Sequence, residues 1–246
     1  MAAVKYLPEI KGIQEYTLID WEGRVAAVVF LAGCNFRCPY CHVRHLVLNP
    51  AVLESIPVEG LNNMLTRNPG WLDGVVISGG EPTLAPALPA LISHLRSKGL
   101  QIKLNTNGTN PDMLADLLAD GLIEAVAMDV KGPLDGRYER CAGRMADLDA
   151  IERSIEIIID SDIEYEFCTT VCPPLMSEGD VIDTARELRG AKRYVLQRFR
   201  GNSCIDPALL NVKPYTPDEM RRIAEKASKY VGQCIVRGDH EANAAR

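Results

Sequence analysis

Three of the eight cysteines lie in one short segment, Cys34-Asn-Phe-Arg-Cys38-Pro-Tyr-Cys41, with the spacing C-x3-C-x2-C. Three thiolates on one loop can bind three irons of a [4Fe–4S] cluster and leave the fourth iron open to a small molecule. His45 extends the pattern to three cysteines and one histidine, a ligand set that suits tetrahedral Zn²⁺. Buried structural cysteines are a third interpretation. The spacing favours the cluster and leaves all three open.

Polar and glycine-rich residues follow four successive predicted strands, at the point where each strand ends. They are Cys34 after the first strand, Gly79-Gly80-Glu81-Pro82 after the second, Asn105-Thr106-Asn107-Gly108 after the third, and Asp129 and Lys131 at the end of the fourth. In α/β folds, ligands bind outside the carboxyl ends of the strands. We therefore expect these residues to share one site.

Short β-branched runs alternate with amphipathic stretches along the chain. The predicted strands cover residues 25–31, 74–78, 101–105, 125–130, 164–171 and 194–199, with a short strand at 234–236. The predicted helices cover residues 51–67, 87–98, 111–119, 147–160, 178–188 and 217–231. Six strand–helix repeats indicate an α/β fold with right-handed crossovers and a parallel sheet. The pattern is compatible with an open doubly wound sheet and with a curved partial barrel.

Composition narrows the class of protein. The chain has 246 residues, of which 47% are hydrophobic and 24% charged, as in ordinary globular proteins. We find neither a signal-like segment nor an apolar run near the roughly 20 residues that cross a membrane, so we expect a cytoplasmic protein without a membrane partner. The net charge of −6 argues against a nucleic-acid partner. Without a recognisable linker, we expect a single domain over residues 1–246, with a core at about 12–215 and a terminal helix and strand within 216–238.

The cysteine loop, the aromatic Tyr40 before its last cysteine, and the Gly79-Gly80-Glu81-Pro82 motif resemble the radical S-adenosylmethionine (SAM) superfamily in order and spacing. The resemblance implies a partial (βα)6 TIM-type barrel and a [4Fe–4S] cluster held by Cys34, Cys38 and Cys41. It further implies that the open iron binds the amino and carboxylate groups of SAM. Residues from about 12 to 215 are similar to the activating proteins of anaerobic ribonucleoside-triphosphate reductase, which are glycyl radical enzyme activases.

The resemblance also implies contacts with SAM. Tyr40 is expected near the adenine; the alternative is a loop aromatic that caps the core. Gly79 and Gly80 would let the backbone approach the ligand closely, and Glu81 would accept a hydrogen bond from the SAM ammonium. The alternative for this motif is a simple turn between a strand and a loop.

Two further pairs are expected at the cofactor. Asn105 and Asn107 would bind the methionine carboxylate or the ribose, or frame a monovalent cation; related activases often have an acidic residue at the position of Asn105. The alternative is a turn. Asp129 and Lys131 lie at alternate positions and face the same side. Lys131 would neutralise the methionine carboxylate; the alternative is an internal ion pair.

The implied reaction begins with flavodoxin or ferredoxin, which reduces the cluster. SAM is then cleaved to methionine and a 5′-deoxyadenosyl radical, which takes a hydrogen atom from a glycine Cα of a partner enzyme. No acid or base residue is nominated. The alternatives are a radical SAM enzyme that acts on another glycyl radical partner or on a small molecule, and a non-enzymatic zinc or iron–sulfur binding module.

The remaining cysteines are scattered along the sequence. A second cluster would need more ligands at close spacing, so we expect structural or free thiols at Cys141, Cys168, Cys172, Cys204 and Cys234. Arg198 and Arg200, after the sixth predicted strand, are expected either to line the mouth of the site or to be surface charges.

Overall fold

The computed structural model describes residues 7–67 and 70–238. Eight strands form one sheet in chain order. They are β1 (Ile10–Thr17), β2 (Ala26–Leu31), β3 (Gly74–Gly79), β4 (Gln101–Thr106), β5 (Ala125–Asp129), β6 (Glu164–Val171), β7 (Tyr194–Arg198) and β8 (Cys234–Arg237). β1 pairs antiparallel with β2, and every later pair is parallel. β1 and β8 are the two edges, so the sheet is open and forms a partial barrel.

Helices form the crossovers between the parallel strands. They are α1 (Arg44–Leu48), α2 (Val58–Arg67), α3 (Leu88–Arg96), α4 (Pro111–Ala119), α5 (Tyr138–Ala142), α6 (Leu148–Ile159), α7 (Glu178–Glu187) and α8 (Pro217–Ala227). Their starts follow local chemistry. The Asn110 side chain accepts a hydrogen bond from Met113 N ahead of α4, and Ser177 with Asp180 forms a capping box at α7. None of the helices within the described residues is long and apolar enough to cross a membrane.

The two faces of the sheet are packed differently. The helical face carries the main core, in which α6 contributes Ile151, Ile155 and Ile158 at the three- and four-residue spacing of one helix face. The inner face carries a smaller apolar cluster at the amino-terminal end of the strands, around the fully buried Trp21. Above that cluster the inner face becomes polar and encloses a cavity.

Besides the short helices α1 and α5, which were not predicted, the structure differs from the predicted elements in two places. The helix predicted at 51–67 is divided into a 3-10 turn, Pro50–Val52, and α2. Pro57 lies between them, and the residue before a proline is driven away from helical geometry; Ile56 instead forms a bridge with Ile10. β1 was not predicted as a strand. It covers an edge of the parallel sheet and pairs irregularly with β2.

Candidate active site

A cavity of about 260 Å³ opens at the carboxyl ends of the parallel strands. Ten of the residues that the sequence predicted for the site line it: Cys34, Cys38, Cys41, Gly79, Gly80, Glu81, Asn105, Asn107, Asp129 and Lys131. The four polar strand ends therefore meet, as expected for parallel strands whose carboxyl ends share one edge.

Three hydrogen bonds hold the cysteine loop, residues 34–41, in place. Gly33 N donates to Leu46 O at 3.0 Å, and Arg37 N donates to Ala142 O at 2.9 Å. The Arg37 guanidinium donates back to Cys34 O at 2.6 Å. These bonds hold the loop so that its three thiols reach the cavity. Burial raises the pKa of each of these thiols.

The three thiols share one wall of the cavity. Within the described part of the chain, no three His, Cys, Asp or Glu side chains are placed to hold one metal ion. A Zn²⁺ site brings its ligands to about 2.0–2.3 Å from one ion, and His45 is exposed and lies outside the cavity lining. In a [4Fe–4S] cluster each thiolate binds a different iron. Three cysteines that share a cavity wall fit that donor set.

Glycines allow the loop after β3 to lie directly against the cysteine loop. Gly79 has φ +123°, and a Cβ at Gly80 would lie 1.7 Å from Gly33 O. Gly80 N donates to Leu31 O at 3.0 Å, and Glu81 N donates to Gly33 O at 2.7 Å. Side chains at either glycine would separate the two loops that form this wall.

The buried Glu81 carboxylate joins the end of β3 to the end of β4. Its Oε1 accepts from Thr83 N, Thr83 Oγ1 and Thr106 Oγ1, at 3.0, 2.5 and 2.8 Å. Its Oε2 accepts from Asn107 N at 2.6 Å. Burial, which outweighs these hydrogen bonds, raises the pKa of Glu81. Glu81 thus has four protein donors, and its predicted bond to the SAM ammonium stays a prediction.

The two asparagines at the end of β4 differ in what their side chains contact. Asn107 Nδ2 donates to Asn35 Oδ1 of the cysteine loop at 2.8 Å, while its Oδ1 accepts from Thr109. Asn105 donates weakly to Ser78 Oγ at 3.4 Å, and its buried Oδ1 has no hydrogen-bond partner among the described residues. Such an acceptor on a cavity wall is suited to a ligand donor.

Asp129 and Lys131 form an ion pair of 3.1 Å at the cavity. The Lys131 side chain is 12% exposed and that of Asp129 is 50% exposed. Burial lowers the pKa of the lysine, but the Asp129 carboxylate outweighs burial and raises the pKa of Lys131 above its usual range. Asp129 and Lys131 thus form the internal ion pair that was the alternative interpretation, and neutralisation of a ligand carboxylate by Lys131 stays a prediction.

Tyr40 lies in the core and outside the cavity lining, with 4% of its surface exposed. Its buried hydroxyl has no partner within the described part of the chain. The contact between Tyr40 and adenine stays a prediction.

The cavity also has a polar inner wall that sequence reasoning missed. Lys103 Nζ donates to Glu166 Oε1 at 3.1 Å, and the Arg237 guanidinium donates to both oxygens of Glu166, at 3.2 and 2.8 Å. Burial would raise the pKa of Glu166, but Arg237 and Lys103 outweigh it and lower that pKa. The sequence contained a signal for this wall, because charged residues at alternate positions within apolar strands predict polar side chains that line the interior of the barrel.

The other cysteines are free thiols. Cys168 lines the cavity, whereas Cys172 is buried outside it, and Cys141 Sγ donates to Leu175 O at 3.4 Å. The two arginines after β7 also differ. Arg198 donates to Tyr215 O at 2.7 Å, and Arg200 is exposed.

Comparison with known proteins identifies the family of the chain. The family model of the radical SAM superfamily matches residues 28–188. The chain is 32% identical over 233 residues to a candidate glycyl-radical enzyme activating enzyme of Methanocaldococcus jannaschii, a match that covers 93% of this chain and 95% of that protein. It is 31% identical over 146 residues to the 7-carboxy-7-deazaguanine synthase of Neisseria meningitidis serogroup B, covering 59% of each chain. The crystal structure of QueE from Escherichia coli superposes with a TM-score of 0.57 at 18% identity, covering 96% of this chain and 98% of that one.

The chain therefore belongs to the radical SAM superfamily, whose enzymes use a [4Fe–4S] cluster and S-adenosylmethionine. Within that superfamily it falls among the glycyl-radical enzyme activating enzymes. The residues present fit both cofactors: three thiols line one wall of the cavity, Asn105 Oδ1 is a buried acceptor without a partner among the described residues, and Lys131 is a cation at the cavity.

Proposed function

We propose that this enzyme installs a glycyl radical on anaerobic ribonucleoside-triphosphate reductase, with flavodoxin or ferredoxin as the electron donor. The observation that carries the proposal is that three features line one cavity: the cysteine loop, the glycine loop (Gly79-Gly80-Glu81-Pro82) and the Asp129–Lys131 ion pair. The relative from Methanocaldococcus jannaschii, similar over almost its whole length, supports the activase assignment.

Each part of the site has a role in this proposal. Cys34, Cys38 and Cys41 bind the cluster, and Lys131 holds the methionine carboxylate of SAM. Gly79 and Gly80 let the loop after β3 lie against the cysteine loop, and Glu81 and Asn107 hold the two loops together through their hydrogen bonds. When bound, the two cofactors supply the one-electron cleavage that yields a 5′-deoxyadenosyl radical. The chain's residues orient the ligand and exclude water.

The test is anaerobic reconstitution with iron and sulfide, reduction, addition of SAM, and measurement of 5′-deoxyadenosine. We expect product from the native chain and none from the triple variant Cys34→Ala, Cys38→Ala, Cys41→Ala. Cys234→Ala, which removes a free thiol from β8, is the matched control and should retain product. One zinc per chain without SAM cleavage would instead identify a metal-stabilised binding module.

The partner is tested separately. The reconstituted enzyme is incubated with SAM and the purified reductase, and a glycyl radical is sought by electron paramagnetic resonance. We expect a radical on the reductase that disappears when its radical-site glycine is replaced by alanine. Cleavage of SAM without a radical on the reductase would retain the radical SAM chemistry and reject this partner.

A second candidate function is radical chemistry on a small molecule. The polar inner wall of Lys103, Glu166 and Arg237 favours it, because such side chains can recognise a compact polar substrate inside the barrel. The similarity to 7-carboxy-7-deazaguanine synthase, over part of the chain, points the same way. Turnover of a small substrate by an enzyme that leaves candidate glycyl radical partners unmodified would decide for this alternative.

A further inference from the structure

The outer side of the cysteine loop carries positive charge, although the protein as a whole carries −6. No aspartate or glutamate occurs from residue 23 to residue 53, a stretch that contains Arg24, Arg37 and Arg44. Within this stretch, Val43 and Val47 line the cavity, whereas Arg44 and His45 are exposed. One side of α1 therefore faces the cofactors and another faces solvent.

Two other segments bring arginines to the same surface. Ala142 O accepts from Arg37 N at 2.9 Å, which places the exposed Arg144 beside the loop. Ser203 Oγ donates to His42 O at 3.3 Å, which brings the segment that follows Arg200 against the loop.

The arginines on this surface lack ionic partners. Arg44, Arg144 and Arg200 form no ion pair or hydrogen bond with any residue in the described ranges, whereas Arg67, Arg96 and Arg153 elsewhere are each paired with a carboxylate. Two carboxylates lie nearby. Asp206 N donates to Pro39 O of the cysteine loop, and the Asp206 carboxylate accepts from Ala208 N. Glu139 is exposed on α5.

We propose that the exposed arginines on the outer side of the cysteine loop, Arg44, Arg144 and Arg200, dock an acidic one-electron donor protein. Exposed arginines without ionic partners beside the cysteine loop attract an anionic partner and accelerate its association. Cys41 is partly exposed and His42 is exposed, so a donor docked on this surface would approach the cysteine loop without entering the cavity. One electron leaves the donor's reduced cofactor and reduces the cluster by one charge, with no bond made or broken. The inference rests on the proposed function.

The first test measures binding and not turnover. Reconstituted enzyme is titrated with an acidic flavodoxin at low salt, and its Kd is compared between the native chain and the single variants Arg44→Glu and Arg200→Glu. We expect each reversal to weaken binding about tenfold or more, and the difference to vanish near 1 M salt, where the screening length is about 3 Å. Iron content per chain is measured beforehand, so that a damaged loop is recognised.

Two further variants complete the design. Arg222→Glu makes the same charge change on α8, which packs on α7, β7 and β8, and should leave Kd unchanged. Arg44→Lys keeps the charge and should bind flavodoxin nearly as the native chain does. Equal losses in Arg44→Glu and Arg222→Glu would overturn the inference, because net charge would then explain them. A loss of binding to the glycyl radical partner with flavodoxin binding intact would also overturn it and assign the surface to that partner.

Failure of this inference is distinguishable from failure of the proposed function. Photoreduced 5-deazaflavin is a small reductant that needs no docking surface. With it, Arg44→Glu should form 5′-deoxyadenosine at the native rate and should be slower only with flavodoxin. A native enzyme that makes no 5′-deoxyadenosine with deazaflavin would reject the proposed function, whatever the binding data show.

Discussion

At the scale of single residues, the site contains two kinds of polar side chain. Glu81 and Asn107 form hydrogen bonds within the protein, and these bonds connect the ends of β3 and β4 to the cysteine loop. Asn105 and Lys131 present a buried acceptor and a fixed cation to the cavity. Glu81 and Asn107 therefore stabilise the wall of the cavity, whereas Asn105 and Lys131 can contact a ligand.

Replacement of Asn105 by alanine separates these roles. Because Asn105 Oδ1 has no partner among the described residues, we expect Asn105→Ala to change the free energy of unfolding of the cofactor-free chain by less than about 0.5 kcal/mol. Loss of a hydrogen bond to SAM should weaken SAM binding about tenfold, or about 1.4 kcal/mol. Urea denaturation and equilibrium binding to the reconstituted enzyme measure the two effects. Destabilisation with unchanged SAM affinity would show that Asn105 is part of the scaffold.

At the scale of elements, single contacts join strands that are distant in sequence. Glu166 on β6 binds Lys103 on β4 and Arg237 on β8 across the interior. The side chains of Lys103 and Glu166 are only 6% and 7% exposed. A buried pair is strongly destabilising when one partner is removed, because the other charge is left uncompensated.

We therefore expect Glu166→Gln to lower the free energy of unfolding by about 3 kcal/mol or more at neutral pH. The pKa of Glu166 lies below its ordinary value of 4.5 in the folded chain. Its stabilising contribution is thus complete above pH 4.5 and is lost as the pH falls through the lower, folded value. Urea unfolding of both proteins from pH 7 to acid measures this. A difference in stability that does not shrink in acid would contradict the ionic explanation.

The contact between the glycine loop and the cysteine loop gives a second prediction at this scale. In Gly80→Ala the new Cβ would meet Gly33 O at 1.7 Å, so the two loops must separate. We expect a loss of about 1–3 kcal/mol in stability and a lower iron content after reconstitution. Gly136→Ala, at a position with open space around the new Cβ, is the matched control and should remain within about 0.5 kcal/mol of the native chain. Full iron content in Gly80→Ala would show that the loops tolerate separation.

At the scale of the whole molecule, an open sheet needs its interior closed at one end. Trp21 provides that closure below the cavity. It is fully buried against Ala26, Val28 and Val76, and its Nε1 donates to Glu164 Oε2 at 3.3 Å. The opposite end remains polar and open for ligands. One end of the barrel is thus closed by apolar packing, and the other end holds the polar cavity.

The two tryptophans of the chain test this arrangement directly. Trp21→Ala should lower the free energy of unfolding by about 3–5 kcal/mol, because it leaves a cavity inside the barrel. Trp71 is 67% exposed, and Trp71→Ala should change that free energy by less than about 0.5 kcal/mol. Denaturant unfolding followed by circular dichroism measures both variants. Equal effects would mean that Trp21 does not close the barrel.

The sequence by itself determined the class of fold, the carboxyl-end location of the site and the cysteine loop, because hydrophobic periodicity and short-range spacing are local properties of a chain. It also indicated the shared side of Asp129 and Lys131. Tertiary structure decided what these residues contact. Glu81 meets Thr106 and Asn107, 25 and 26 residues further along the chain, and Lys103 meets Glu166 across 63 residues. Such pairings depend on how strands are ordered and curved in space, so local pattern could not anticipate that Glu81 joins two strand ends or that Lys103 and Arg237 pair with Glu166 inside the barrel.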